Sequence, residues 1–337
     1  MICPTFNRST AIVDTVESVR GQHHHDWELI VVSDASTDDT DSVVAALAAD
    51  DDRIRLVRTD RRHGQPATPR NVGLAHVRGD IVAYLDHDDL MVPDHLATVA
   101  GMIDDGAEIV ATGATTRDPT RRMTTRTRAA HLFWHPEIAV LGPTFEPSRV
   151  AHRTGLVERV GGWRPGPGLE DWDLWVRVSD AGVGFTTTTA PTVELLADAA
   201  TRRHRMACRF HVAVATFDTA RDAAQALSRL RADDDAERHR AALVADIVDW
   251  YRPMTRSAAF VTPSGWSGDP VDEVVDSLGT PRPWSDLVVV RGDRGFAVAR
   301  PVACHTAAHA SRIQALADRI RRRQTALARS VIGADRP

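Results

Sequence analysis

Gly79-Asp80-Ile81-Val82-Ala83-Tyr84-Leu85-Asp86-His87-Asp88-Asp89 is the stretch on which the reading of this chain turns. Ile81 to Leu85 is an apolar run of strand length. It ends in three carboxylates, and Asp86 and Asp88 stand one residue apart. At a strand end such carboxylates can converge on one divalent cation. Mg2+ and Mn2+ take oxygen ligands and leave room in their shell for water and a diphosphate. The competing reading is a solvated turn in which an Asp caps the following helix.

Upstream, Trp27 to Ser33 (WELIVVS) reads as a buried strand and Asp34 to Asp39 as a polar turn. Val43, Val44 and Leu47 then keep helical spacing, as do Ile12, Val13, Val16 and Val19 behind Ser9, a candidate helix cap. Ile54 to Val57 is a second strand and Thr68 to His76 a helix. Downstream, Pro93 opens a helix and Ala107 to Ala111 is strand-like. Strands alternating with helices predict an α/β fold, its mostly parallel central sheet covered by helices on both faces. In such sheets ligands bind beyond the carboxyl ends of the strands, where both Asp34 and Asp86 fall. Asp34 can accept a hydrogen bond from a nucleobase N–H; an Asx-turn explains it equally well.

Thr115 to Arg128 is rich in Thr and Arg and predicts a mobile loop. Apolar character returns from His131 to Leu141. A Gly/Pro-rich approach, Gly161 to Gly168, precedes Leu169-Glu170-Asp171-Trp172-Asp173-Leu174-Trp175. Glu170 and Asp171 suit a helix N-terminus; they also suit a general base facing an acceptor. Beyond Arg202 the pattern is mainly helical. A hairpin is predicted near 287–299, and a basic amphipathic helix from Ser311 to Val331.

The 337 residues carry 41 basic and 46 acidic side chains, a net charge of -5, which does not suggest a nucleic-acid binder. Every basic residue among Lys and Arg is Arg, a compositional bias that carries little functional meaning by itself. With 43% hydrophobic residues the chain can bury a sizeable core. Cys3, Cys208 and Cys304 are odd in number and far apart, which indicates neither a disulfide framework nor a zinc site. No apolar run reaches membrane-span length and no signal peptide is evident, so a cytoplasmic protein is expected. His23, His24 and His25 read as a solvated loop rather than a metal site. Trp163, Trp172 and Trp175 suit either sugar stacking or packing. The terminal Arg-rich helix reads as docked with a solvated face, peripheral membrane contact being the alternative.

Taken together, Pro4-Thr5-Phe6-Asn7-Arg8, WELIVVSDASTDDT, Pro69 to Ala75, Gly79 to Asp89, Val160-Gly161-Gly162-Trp163 and LEDWDLWVR resemble, in order and spacing, the inverting glycosyltransferases of family 2 with the GT-A fold. The resemblance covers roughly residues 1 to 205. It implies a Rossmann-like GT-A domain over 1–205, with a nucleotide-sugar half (1–114) and an acceptor and catalytic half (115–205), followed by a mainly helical region over 206–337. It implies a nucleotide-diphosphate sugar donor, Mn2+ or Mg2+, and an acceptor bearing a hydroxyl. By position, Pro4, Thr5, Asn7, Arg70 and Asn71 resemble residues around the nucleotide. Asp34 resembles the carboxylate that reads a pyrimidine base, usually uracil, and Asp86 the one near the ribose. Asp88 resembles the metal ligand. Asp171 resembles the catalytic base, with Glu170 beside it. Thr201-Arg202-Arg203-His204 is similar to a segment whose His lies near the diphosphate, which adds His204 to the metal side.

Two departures stand out. Pro69 replaces a common Ala. Only Met1-Ile2-Cys3 precede Pro4 where the family has a full strand, so the first strand is expected to be short or truncated. Two rival readings are a nucleotidyltransferase and a non-catalytic nucleotide-sugar-binding protein. The first normally needs a glycine-rich loop, and Pro4 to Thr10 contains no Gly.

Overall fold

A computed structural model of the chain describes residues 1–120, 122–197, 210–279, 284–292 and 295–333. The chain divides into two compact units, Met1–Arg205 with Val261–Ser267, and Met206–Phe260 with Gly268–Pro337.

In the first unit the chain alternates β1 (Ile2–Thr5), α1 (Ala11–Arg20), β2 (Leu29–Ser33), α2 (Thr40–Asp50), β3 (Ile54–Arg58), α3 (Ala67–Leu74) and β4 (Ile81–Ala83). β1 pairs in parallel with β2, and β2 with β3. Ile2 bridges Tyr84 in parallel, which brings β4 to the other side of β1. The sheet then continues through β5 (Leu90–Met91), α4 (His95–Asp104), β6 (Ile109–Arg117), β7 (Met123–Arg126), α5 (Pro136–Leu141), β8 (Val150–Arg153), α6 (Leu156–Arg159), α7 (Glu170–Asp180) and β9 (Thr186–Leu196). Here the order is β4-β8-β6-β9-β5. β8 runs antiparallel between β4 and β6, and β6 pairs in parallel with β9.

The pleat explains the burial. Ile2, Ile30 and Val32 face one core, while Cys3, Leu29 and Val31 face the other. Successive side chains point to opposite faces, and both faces are covered, so these strands read as continuous apolar runs. Gly73 in α3 allows that helix to lie directly on β1. A Cβ there would sit 2.5 Å from Cγ2 of Ile2.

Several elements differ from the expectations. α1 starts at Ala11 with Thr10 at the cap position and no capping side-chain bond, so Ser9 is not its cap. Thr115 to Arg128 is not simply a loop: β6 runs to Arg117 and pairs antiparallel with β7. β7 is exposed along its length. Its β-branched Thr residues suit a strand, but with no buried face the apolar alternation that marks a strand is absent.

The second unit contains β10 (Phe210–Phe217), α8 (Ala220–Ala232), α9 (Ala236–Met254), α10 (Pro270–Ser277), β11 (Val288–Gly292), β12 (Gly295–Val302), α11 (Ala307–Ile320) and α12 (Arg322–Ile332). β11 and β12 form the expected hairpin, and β10 adds to β12 as a third antiparallel strand that the helical pattern did not suggest. The terminal basic helix is broken at Arg321 into α11 and α12. The core of this unit gathers Leu227, Leu230, Leu287, Val298 and Ile332. Cys3 and Cys304 are free and buried; Cys208 lies outside the described residues. No described helix is long and apolar enough to cross a membrane.

Two glycine substitutions should separate packing from helix propensity. Gly73→Ala drives a methyl into a β-branched side chain on the central strand and should cost about 1–3 kcal/mol. Gly101→Ala, on exposed helical backbone with nothing within 4 Å of the new Cβ, should gain about 0.5–1 kcal/mol. Urea midpoints of the two variants check the opposite signs.

Candidate active site

The carboxylates after β4 are not equivalent, and their partners distinguish them. Asp89 is fully buried. Its Oδ2 accepts from the Ser148 hydroxyl at 2.6 Å and its Oδ1 from the Leu196 amide at 2.9 Å. The same Ser148 oxygen accepts the Asp86 amide at 3.0 Å. Asp89 thus anchors the turn to the segment before β8 and to the end of β9. Burial, with Asp86 and Asp88 close by, pushes its carboxyl well above the usual range.

Asp88 faces a different situation. Its backbone carbonyl accepts from Arg117 at 2.6 Å. Among the described residues its carboxylate bonds no other side chain, and burial, opposed in part by His87, raises its pKa. Next to it, Arg8 Nε donates to His87 Nε2 at 3.1 Å.

Asp86 accepts from Arg70 Nη2 at 2.7 Å. Arg70 comes from α3, is 1% exposed, and donates from Nη1 to Glu170 Oε1 at 3.4 Å. Burial works against the guanidinium charge, but Asp86 and Glu170 more than offset it, and the group titrates above an ordinary arginine. One buried cation therefore joins the acidic turn after β4 to the first residue of α7. Asp171 follows Glu170, and its Oδ1 accepts the Trp172 amide at 2.8 Å.

Trp163 lies under this bridge. The Arg70 guanidinium is 4.4 Å from its ring centre, a cation–π distance. Asn71 holds the Trp163 backbone from both sides: Nδ2 donates to its carbonyl at 2.8 Å, and Oδ1 accepts its amide at 2.9 Å. Gly162 has φ +70°, and a Cβ there would press on Asn71 Oδ1 at 3.0 Å. The indole N–H of Trp163 donates to Tyr84 Oη at 3.2 Å, and that hydroxyl lies 2.8 Å from His152 Nε2. His152 Nδ1 is 2.8 Å from the Arg153 carbonyl, and burial lowers this imidazole to about 4. A neutral ring donating from Nδ1 and accepting at Nε2 satisfies the whole chain. Trp163 and Trp175 are buried in the core cluster and Trp172 is 3% exposed, with its N–H on the Ala139 carbonyl. These rings pack.

Toward the N-terminus, Pro4 and Thr5 are buried in β1. The Asn7 side chain clasps Thr37: Oδ1 accepts its amide at 2.8 Å and Nδ2 donates to its hydroxyl at 3.1 Å. Asp34, at the end of β2, accepts from the loop after β3. The structure thus brings Arg70, Asp86, Glu170 and Asp171 together, sets Asp88 beside them in sequence, and uses Asn7 and Asn71 as clasps between loops. His204 lies outside the described residues, so its placement beside a metal is not described. Ser148, Tyr84 and His152 were not singled out from sequence; each acts through a partner at least 59 residues away.

The donor set suits a hard divalent cation. The Asp88 carboxylate bonds no other side chain and the second oxygen of Asp86 has no protein partner among the described residues, and both are oxygen ligands. Among those residues no three His, Cys, Asp or Glu converge to hold a metal unaided.

Comparison with known proteins shows the family and the fold. Residues 1–156 match the model of Glycosyl transferase family 2. The GalNAc(5)-diNAcBac-PP-undecaprenol beta-1,3-glucosyltransferase of Campylobacter jejuni is 37% identical over 106 residues, which are 32% of this chain and 34% of that protein. The putative teichuronic acid biosynthesis glycosyltransferase TuaG of Bacillus subtilis is 40% identical over 96 residues, 28% of this chain and 38% of TuaG. The chain thus spans little more than a third of the length of these curated relatives. Among solved structures, S. aureus TarS 1-349 in complex with UDP-GlcNAc aligns with a TM-score of 0.50 and 19% identity over 60% of this chain and 59% of that one, a likeness of fold. Residues 1–156 belong to glycosyl transferase family 2, and the fold is GT-A-like.

The Arg70 bridge has a direct energetic consequence. Arg70→Met should cost on the order of 3 kcal/mol, because the buried ion pairs Arg70 makes with Asp86 and Glu170 are broken. Arg70→Lys keeps the charge but loses the planar fork, and should recover only part of that loss. Denaturant midpoints without ligand measure both; a Met variant as stable as the wild type would exclude the bridge as a stabilising element.

Proposed function

We propose that this chain is a metal-assisted, inverting glycosyltransferase that moves a sugar from a nucleotide-diphosphate donor, a UDP-sugar first, to an acceptor hydroxyl. The observation that carries the reading is the buried Arg70, which ties Asp86 to Glu170 next to Asp171. The same bridge supports a reading in which the carboxylates assigned to donor and acceptor act as one electrostatic cluster, its Arg70 and Asp86 lying within the residues that match family 2.

In this reading Asp34 and its loop stand at the base, with Pro4, Thr5 and Asn7 shaping the same end of the site. Asp86 stands near the ribose, held by Arg70, and Asn71 fixes the Trp163 support below. Asp88 and the second oxygen of Asp86 would hold Mn2+ or Mg2+, with His204 as a further ligand. When bound, the cation neutralises charge on the leaving diphosphate. Asp171 takes the proton from the acceptor hydroxyl as that oxygen attacks the face opposite the leaving group. One displacement of this kind inverts the anomeric carbon. Glu170 serves this step by anchoring the start of α7 to Arg70, which keeps Asp171 in place.

Two experiments test the proposal. Asp171→Asn keeps the side-chain shape but cannot take the proton, so turnover should fall by ~10²–10⁴. Its donor dissociation constant and melting temperature should stay near wild type. NMR coupling constants of the wild-type product should show the anomeric configuration opposite to the donor's; a retained configuration would remove Asp171 as the base of a single displacement. Separately, chelation should stop turnover, Mn2+ or Mg2+ should restore it, and Asp88→Asn should weaken donor binding. Full turnover in excess chelator would exclude the cation.

A further inference from the structure

The hairpin of β6 and β7 carries a local excess of positive charge. Between residues 117 and 128 stand Arg117, Arg121, Arg122, Arg126 and Arg128 against a single acidic residue, Asp118, in a chain whose net charge is -5. Asp118 serves the turn rather than the arginines. Its Oδ1 accepts the Thr120 amide at 2.8 Å, the Thr120 hydroxyl at 2.6 Å and the Arg122 amide at 3.1 Å. The Asp118 amide donates to the Arg122 carbonyl at 2.9 Å, which closes the turn. The hydroxyls are engaged in the same way: Thr124 donates to the Thr116 carbonyl at 3.1 Å and Thr127 to the Ala114 carbonyl at 3.0 Å. The Arg122 and Arg126 side chains are both exposed. Among the described residues the Arg122 guanidinium has no partner, and that of Arg126 reaches only the Thr189 carbonyl, at 3.5 Å.

This hairpin stands at the acidic turn after β4. Arg117 donates to the Asp88 carbonyl at 2.6 Å, and its own carbonyl accepts the Ala197 amide at 2.8 Å. Met123 is the cross-strand partner of Arg117, and Arg126 is that of Thr115. Arg122 therefore lies at the end of β7 nearest Asp88, and Arg126 lies farther along the same strand. Their Cα atoms are roughly 13 Å apart in extended chain. Two cations spaced along an exposed strand, neither held by a carboxylate, suit a ligand that is itself extended and repeats its negative charge.

We propose that the β6–β7 hairpin binds an extended anionic glycan, that Arg122 and Arg126 hold its carboxylate or phosphate groups, and that such a glycan is the acceptor. The planar guanidinium matches either oxyanion. An anionic chain nearing Asp86 and Asp88 meets like charge, and cations along its path offset that repulsion. An acidic peptide fits less well, because the four-residue edge of β7 is short for an added strand. The inference deepens the proposed glycosyl transfer and rests on it.

The test is fluorescence anisotropy on the full chain, in excess chelator so that no metal bridges the ligand. The labelled probes are oligogalacturonate, its neutral methyl ester, a phosphomannan oligosaccharide and a poly-glutamate peptide; sedimentation with phosphatidylglycerol vesicles runs beside them. The wild type should bind one of the two anionic glycans, the carboxylate or the phosphate form, at least about tenfold more tightly than the methyl ester and the peptide. Arg122→Gln and Arg126→Gln should each weaken that binding about tenfold, the scale of one hydrogen bond to a charged group. Their melting temperatures and their affinity for UDP with Mn2+ should stay at wild type. Arg221→Gln, at an exposed position of α8, should leave glycan binding unchanged. Equal weakening in Arg221→Gln, undiminished binding in the Arg122→Gln, Arg126→Gln double variant, or tighter binding to peptide or vesicles than to either glycan overturns the proposal. Failure to bind either glycan, with UDP binding intact, overturns the hairpin site alone. A wild type that binds glycan but no UDP overturns the donor reading, and with it the acceptor role.

Discussion

The arrangement of the first unit depends on a guanidinium that cannot be neutralised and has little access to water. Arg70 is 1% exposed, and an unpaired charge at such a depth costs several kcal/mol. The cost is offset only while Asp86 and Glu170 are both in place. Those residues arrive from distant parts of the chain, Asp86 from the end of β4 and Glu170 from the start of α7. Their shared cation therefore constrains α3, β4 and α7 at one point. Arginine suits this place because its planar fork serves two acceptors in different directions and it does not deprotonate in proteins. The Trp163 ring beneath it adds a face that attracts a cation. That ring is in turn fixed by Asn71, Tyr84 and Gly162.

Backbone conformation around the cluster follows the same logic. Asn7, Ala35 and Leu169 are the non-glycine residues with positive φ among those described. Each adjoins a loop assigned to the site: the segment after β1, the turn after Asp34, and the residue before Glu170. A left-handed conformation at a residue with a Cβ costs about 1–2 kcal/mol and persists where surroundings over-determine it. Asn7 is held by its bonds to Thr37 and Ser36. Leu169 is held from within α7, since its carbonyl accepts the Asp173 amide at 3.1 Å. The strain sits where two loops are tied to each other or where a helix begins abruptly.

Much of the fold could be read from sequence because the strands of the nucleotide half bury both faces. WELIVVS and IVAYL are apolar runs bounded by polar turns, and the helices between them keep a regular apolar stripe. The acidic turn and LEDWDLW were visible as chemistry for the same reason, being polar residues set against apolar elements. What escaped was the part that depends on contacts between distant residues. Ser148 looks ordinary in sequence, yet it is the hinge between the Asp86 amide and the Asp89 carboxylate. β5 has two residues, too few for any period. β7 has no buried face to produce alternation. β10 is short and apolar, a pattern that does not distinguish a strand from a buried helix. Asn71 shows the converse. Its position was marked by resemblance as lying near the nucleotide, while in the structure its amide spans the Trp163 backbone.

A cluster of acidic residues says little about function until its members are separated by what they already bind. Of the three carboxylates after β4, Asp89 is fully engaged by Ser148 and Leu196 and serves the turn. Asp86 has one oxygen on Arg70 and one without a protein partner among the described residues. Asp88 has its backbone held by Arg117 and its carboxylate without a partner side chain among those residues. The order runs from anchor through intermediary to available ligand. It follows from elementary electrostatics: three negative groups on four consecutive residues tolerate one another only if each meets a different donor. Arg70 and the Ser148 hydroxyl account for two of them. Burial raises the pKa of the third, Asp88, and it also raises that of Asp89 despite its Ser148 and Leu196 donors. In the proposed reading, a divalent ion arriving with a diphosphate would bring positive charge to the Asp88 carboxylate.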